Sequence, residues 1–288
     1  MSLIKEKVSF VPKRHYVAIC AIFKNEGMFL KEWIEYHLLI GVEHFYLYNN
    51  FSDDDYWVVL EPYIRKGLVT LTDWPVEKGQ LSAYKDCYDK RKDSVNWIAY
   101  IDLDEFICLR EANDLRKWLR EYERYPSVYM NWKMFGTSGI LKHDSKQFVI
   151  EQYTACWPVL VNAGKSFVNT AWPFSSIGCH MSYPDLKICH WKTTVLPIDE
   201  FKRFICHWVV RDSKRIPSIQ LNHYFNRSYH QWVYKVQVRG DALSEKGQQY
   251  RADWGNFQKN ELMNIDRDYL IQKWLVFLRL QMDEMDLD

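Results

Sequence analysis

Four times in the first 130 residues a short apolar run is followed by a segment of helical periodicity, and this alternation restricts the fold more than any other feature of the chain. Residues 16–23 form a β-rich apolar run. After Asn25, an expected N-cap, apolar side chains recur at Phe29, Leu30, Trp33, Ile34 and Leu38, and Gly41 is placed to end the helix. Strand-like 44–48 precedes helical 56–64, which Gly67 stops. Strand-like 68–74 precedes helical 80–91. Residues 97–101 are a short, wholly apolar run of the kind buried inside a parallel sheet, and Asn113 is expected to cap a helix carrying Leu115, Trp118, Leu119 and Tyr122. Such a chain folds as an α/β domain, a mostly parallel sheet flanked by helices. Ligands of these sheets bind beyond the carboxyl ends of the strands. The segments to watch are therefore 24–26, 49–54, 75–80 and 102–105.

The second half is less regular. Residues 127–132 read as a strand, 135–139 as a turn, 147–191 as strands and long loops, 229–238 as a helix and 262–282 as a terminal helix. No repeat, low-complexity stretch or linker interrupts the chain.

Composition narrows the function. There are 38 Lys and Arg against 37 Asp and Glu, spread evenly, so no field selects nucleic acid as a partner. No apolar stretch is long enough for a membrane span, and the polar start of the chain lacks the apolar segment of a signal peptide. These features predict a cytoplasmic protein, with peripheral association at the inner face of a membrane left open. The seven Cys are odd in number and form no Cys-x-x-Cys pair, so reduced thiols are expected. The 13 Trp and 19 Tyr are expected mainly in the core and its rim, although aromatic faces also stack on sugars and bases.

The strongest chemical signal is Asp102-Leu103-Asp104-Glu105 directly after the fourth apolar run. In extended chain, residues two apart project to one side, so Asp102 and Asp104 are placed to reach one divalent cation. Mn²⁺ and Mg²⁺ take oxygen ligands and bridge to substrate phosphates, and such an ion neutralises a departing diphosphate. The competing reading is an acidic turn capping the next helix. The loop from Tyr48 to Asp55 offers amides and carboxylates to a uracil edge or ribose hydroxyls, or else is a solvated turn.

Together, Lys24-Asn25-Glu26, Tyr48-Asn49-Asn50-Phe51-Ser52-Asp53-Asp54 and Asp102-Leu103-Asp104-Glu105-Phe106 resemble the GT-A glycosyltransferases, the family-2-like group and family 92 in particular. Glu32-Trp33-Ile34-Glu35-Tyr36-His37, the stretch from Gly79-Gln80 to Tyr84 and Cys87, and Trp132 with Phe135-Gly136-Thr137-Ser138-Gly139 are similar to family 92 segments. So are Lys165-Ser166, Leu221-Asn222-His223-Tyr224, Ser228, Lys235, Arg239 and Gly240. The likeness covers roughly residues 16–241. It implies a GT-A, Rossmann-like domain over 1–245, with a nucleotide-binding half at about 15–125, an irregular acceptor-side half at about 126–245, and a helical extension over 246–288.

The resemblance further implies a hexosyltransferase of polysaccharide biosynthesis that moves a sugar from a nucleotide-sugar, UDP-linked for preference, to a glycan or lipid-linked saccharide, with inversion. Asn25, Glu26, Asn50, Asp54, Gln80 and Asp102 would hold the nucleoside. Asp102, Asp104 and His223 would hold Mn²⁺ or Mg²⁺, and Lys165, Lys235 and Arg239 would balance the diphosphate. The usual Glu-Asp pair for a catalytic base is missing. Glu151 and Asp185 stand as candidates for the base, and Glu105 could orient an acceptor instead. The alternatives are an inactive nucleotide-sugar- or carbohydrate-binding relative and an aspartyl phosphatase. The second lacks its usual Thr, since Phe106 holds that place.

Overall fold

The computed structural model describes residues 11–188, 191–205 and 215–285. Twelve strands occur among them: β1 (His15–Phe23), β2 (His44–Asn49), β3 (Val69–Asp73), β4 (Val95–Tyr100), β5 (Glu105–Leu109), β6 (Ser127–Met134), β7 (Ala155–Cys156), β8 (Gly164–Asn169), β9 (Asp185–Ile188), β10 (Trp191–Thr194), β11 (Ile219–His223) and β12 (Asp266–Arg267). Eight form one sheet in the order β3-β2-β1-β4-β8-β6-β11-β5. Strands β3, β2, β1 and β4 are parallel. Only β8 and β5 run against the rest, so the sheet is mostly parallel. Pairs β7–β12 and β9–β10 make two small antiparallel ladders.

The helices are α1 (Gly27–Leu39), α2 (Tyr56–Arg65), α3 (Gln80–Arg91), α4 (Leu115–Leu119), α5 (Val149–Gln152), α6 (Tyr229–Tyr234), α7 (Glu245–Ala252), α8 (Trp254–Leu262) and α9 (Leu275–Met285). Strand β1 is buried on both faces. Val17, Ile19, Ala21 and Phe23 meet Trp33 and Leu30 of α1 and Leu60 of α2, while Ala18, Cys20 and Ile22 meet Ala83, Tyr84 and Cys87 of α3. This is why the run is apolar throughout rather than alternating. None of the described helices is long and apolar enough to cross a membrane. Cys20, Cys87, Cys108, Cys156 and Cys179 are free thiols; Cys189 and Cys206 lie outside the described residues.

Several expectations shift. Helix α1 has Glu26, not Asn25, at its N-cap position; Asn25 is left-handed at φ 53°. The cap is borrowed from the next loop, where Asp54 Oδ2 accepts the Gly27 N–H at 2.7 Å. Asp114, not Asn113, caps α4, accepting from the Arg116 N–H. The terminal helix begins at Leu275 because Asp266–Arg267 first pairs with β7. Ile271 and Leu278 belong to the main core, so the extension is packed into the domain. Strand β5 was not anticipated, because its residues read as the tail of the acidic motif.

Candidate active site

Register carries the carboxyl ends of the parallel strands to one edge. Phe23 pairs with Asn49 and Asn49 with Asp73, while Cys20 pairs with Tyr100. Beyond that edge lies a cleft of about 620 Å³, lined by Glu26, Asn50, Phe51, Gln80, Asp102, Asp104, His223 and Arg239 among others. A wall from the far end of the chain, Arg239 to Ala242 with Glu245 and Arg251, closes one side. That wall is tied across by the Gln80 N–H to the Ala242 carbonyl, 3.3 Å, and by Lys78 Nζ to the Asp241 carbonyl, 3.1 Å.

Asp102 and Asp104 sit in a turn rather than extended chain, for the Asp102 carbonyl accepts the Glu105 N–H at 3.0 Å. Both nonetheless line the cleft. Each is held by a lysine distant in sequence: Lys165 Nζ donates to Asp102 Oδ2 at 2.8 Å and Lys235 Nζ to Asp104 Oδ2 at 2.5 Å. Asp102 Oδ1 accepts from Gln80 Nε2, 2.9 Å, and from the Tyr84 hydroxyl, 3.2 Å. His223 ends β11 and places Nε2 3.7 Å from Asp104 Oδ1. Burial opposes ionisation of Asp104, but the Lys235 ammonium beside it and the buried Arg227 guanidinium hold its carboxyl well below the usual range. Burial also pushes the His223 imidazole down to about 3, so it is neutral with a lone pair to offer.

One polar layer lies behind these groups. Glu105 is fully buried; it accepts the Asp102 N–H at 2.8 Å and the Trp132 indole N–H at 2.6 Å. Strand β5 is pinned from α1: Trp33 Nε1 donates to the Glu105 carbonyl, the Tyr36 hydroxyl to the Ile107 carbonyl, and His37 Nε2 accepts the Ile107 N–H. The Glu32-to-His37 segment therefore acts by fixing the strand that follows the acidic turn. Its Glu32 caps α5 instead, accepting from the Val149 and Ile150 N–H groups.

The sequence pattern of glycosyltransferase family 92 matches residues 13–240. The chain belongs to glycosyltransferase family 92. A family 92 protein of Ricinus communis is 34% identical over 161 residues, covering 54% of this chain and 29% of that one. A family 92 protein of Arabidopsis thaliana is 36% identical over 103 residues, 35% of this chain and 18% of that one. A galactan beta-1,4-galactosyltransferase of the same plant is 28% identical over 104 residues, 32% and 21%. The chain thus spans less than a third of the length of these relatives. Among solved structures, S. aureus TarS 1–349 is similar over 54% of this chain and 47% of that one, at 13% identity and TM-score 0.37. The same protein in complex with UDP matches at 12% and 0.37.

Against the family expectation, the remaining residues divide. Glu26, Asn50, Gln80 and Arg239 line the cleft. Both Glu26 oxygens are engaged, one by Arg239 and one by Arg227 at 2.6 Å. The Asn50 side-chain N–H group donates to the carbonyls of Trp74 and Val76, holding the loop after β3. Asn25 and Asp54 are not among the lining residues. Asn25 bonds Asp53 and the Tyr234 hydroxyl, and Asp54 caps α1, so both shape the loops. Lys165 and Lys235 are buried against carboxylates, so they offset Asp102 and Asp104 rather than face a diphosphate. Glu105, with no exposure, cannot orient an acceptor.

Glu151 and Asp185 are displaced from the chemistry, and neither lines the cleft. Glu151 on α5 takes both its oxygens to Arg279 of α9, at 2.6 and 2.7 Å. Asp185 opens β9 and accepts the Ser175 N–H at 2.6 Å.

Two groups were not anticipated. Arg227 is fully buried, bonds Glu26 and the Leu103 carbonyl, and lies 3.6 Å over the Phe29 ring. Phe51 lines the cleft with 47% of its surface exposed and a left-handed φ of 60°. For a bulky non-glycine residue that conformation costs on the order of 1–3 kcal/mol, a type of strain that concentrates at binding sites.

Proposed function

We infer that this chain transfers a hexosyl group from a UDP-sugar to a glycan hydroxyl, with inversion. The observation that carries the reading is the convergence of Asp102, Asp104, His223 and Arg239 on one cleft at the carboxyl ends of the parallel strands of a family 92 chain. Galactose is the first donor to try, because one relative is a galactan galactosyltransferase. Phe51 presents an exposed ring on which the base would stack, and Gln80 and Asp102, bonded to each other at 2.9 Å in the cleft, would hold the ribose.

A divalent ion fits this site in part. Asp104 Oδ1 and His223 Nε2 are too far apart for a hydrogen bond and near enough for one ion, bound at about 2.1 Å from each, to touch both. His223 is held neutral, and its Nδ1 is buried without a partner. Yet no group of three or more His, Cys, Asp or Glu among the described residues is arranged to hold a metal, so donor oxygens and water must complete the shell. Bound there, Mn²⁺ or Mg²⁺ would neutralise the diphosphate as the sugar bond breaks. The chain's own part is to fix Asp102 through Lys165, Gln80 and Tyr84, to keep Asp104 ionised, and to present Arg239 from the wall.

Inversion needs a carboxylate that takes the acceptor proton. With Glu151 and Asp185 elsewhere, the cleft carboxylates left outside the acidic turn and Glu26 are Glu77, Asp241 and Glu245. The test is transfer from UDP-galactose and other UDP-hexoses to galactan oligosaccharides in Mn²⁺, read by product mass and UDP release. Asp104→Asn should lose most turnover, and one of Glu77→Gln, Asp241→Asn or Glu245→Gln should lose turnover while binding UDP normally. Binding of UDP without turnover for any donor would make the chain an inactive relative; absence of UDP binding would remove the reading altogether.

A further inference from the structure

A second cavity, of about 600 Å³, opens at the β6–β11–β5 side of the sheet and shares no lining residue with the cleft. Asn222 pairs with Lys133 across β11 and β6, and side chains alternate along a strand. Lys133 and Gln220 therefore leave the sheet on the face opposite His223. Three cations line this cavity, Arg110, Lys133 and Arg215, against one carboxylate, Asp268.

That carboxylate is already engaged. Its Oδ2 accepts from Gln220 Nε2 at 2.8 Å and its Oδ1 from the Leu270 N–H at 2.8 Å. Lys133 is only 7% exposed, and its ion pair with Asp266 is 3.9 Å long, to a side chain that is 54% exposed. The neighbouring Cys156 thiol supplies no counter-charge, since burial pushes it up to about 11. Arg110 is anchored by its Nε–H bond to the Pro217 carbonyl, 3.1 Å. A long ion pair to a mostly exposed carboxylate compensates a buried ammonium only weakly, which leaves Lys133 able to meet an anion in the cavity. Val159 and Leu160 give the same cavity an apolar wall.

We propose that this cavity binds an oxyanion, the phosphate or carboxylate of a small ligand, at a site separate from the cleft. Lys133 and Arg110 make charge-assisted bonds to the oxyanion, and the apolar wall takes the uncharged body of the ligand. The proposal stands on these residues alone and does not depend on the transfer reaction.

Calorimetric titration of the whole chain with inorganic phosphate and, separately, with glucuronate tests it, with neutral glucose as control. Saturable binding of at least one anion is expected below about 10 mM. Lys133→Met and Arg110→Gln should each weaken it about tenfold or more. Arg239→Gln removes a cation of the cleft and should leave it unchanged. The better-bound anion tells phosphate from carboxylate. Melting curves confirm folding, and Arg110→Gln carries the test if the buried Lys133 does not tolerate replacement. No saturable binding of either anion, or binding that survives both cavity substitutions and falls with Arg239→Gln, overturns the assignment.

Discussion

Removing Lys235 should destabilise this chain more than any loss of packing explains, and removing its partner as well should restore much of the loss. Lys235 is 5% exposed and Asp104 7%, with Nζ and Oδ2 2.5 Å apart, so Lys235→Met strands a buried carboxylate. Truncating one partner of such a pair typically costs about 3–5 kcal/mol. Coulomb attraction at an effective dielectric of about 20 gives about 4 kcal/mol for charges 4 Å apart, the same size. Met also forfeits the bond from Nζ to the Phe225 carbonyl, 2.7 Å, which adds about 1 kcal/mol. Asp104→Asn strands the ammonium instead, with that carbonyl still available. The double variant leaves neither charge, and should cost about 2–3 kcal/mol less than the sum of the singles. Urea denaturation of the four proteins at neutral pH, followed by circular dichroism with a common slope, measures this. Single effects that add to within about 0.5 kcal/mol would refute the pairing, and with it the argument that Lys235 belongs to Asp104 rather than to a ligand.

Mn²⁺ titration of His223→Ala and Lys235→Met checks the ion: the first should weaken binding, and the second, which frees an anionic oxygen, should tighten it. Unchanged titrations in both would return His223 to a packing role. Stability should also fall in acid because of His37. Burial lowers its pKa to about 3, against 6.5 unfolded, so the unfolded chain binds the extra proton between those values and stability is lost as pH falls through that window. From pH 7 to 5 this amounts to about 2 kcal/mol, and His37→Asn should remove about that much of the fall in urea-measured stability over the range, leaving the part due to other histidines such as His223; an unaltered profile would show the His37 imidazole to be no part of it.

The nucleotide-side half was legible because its signals are local. Gly41 and Gly67 end helices at φ 99° and 71°, and α3 spans Gln80–Arg91 as its periodicity implies. Apolar runs buried on both faces fixed the parallel sheet, and the sheet fixed where the cleft must lie. What stayed hidden was long-range. Strand β5 follows the acidic turn without a polar break, and it is a strand because β11, more than 100 residues later, pairs with it antiparallel at Glu105–Leu109. No periodicity within Glu-Phe-Ile-Cys-Leu announces that partner.

The site divides along the same line. Residue types foretold which groups carry charge in the cleft, but not which charges cancel there. The family resemblance implies that Lys165 and Lys235 balance a diphosphate. In the folded chain each lysine is bonded to a carboxylate of the acidic turn, Lys165 to Asp102 at 2.8 Å and Lys235 to Asp104 at 2.5 Å. The same competition removes Glu151, whose carboxylate is claimed by Arg279 from a helix that the resemblance does not reach. Glu26 shows the limit most clearly, because its two arginines lie 201 and 213 residues away and arrive on separate elements. A charged residue's role depends on the nearest opposite charge after folding. Around the acidic turn, the groups that the rest of the described chain leaves for a ligand include one oxygen of Asp104, the neutral ring of His223 and the exposed face of Phe51.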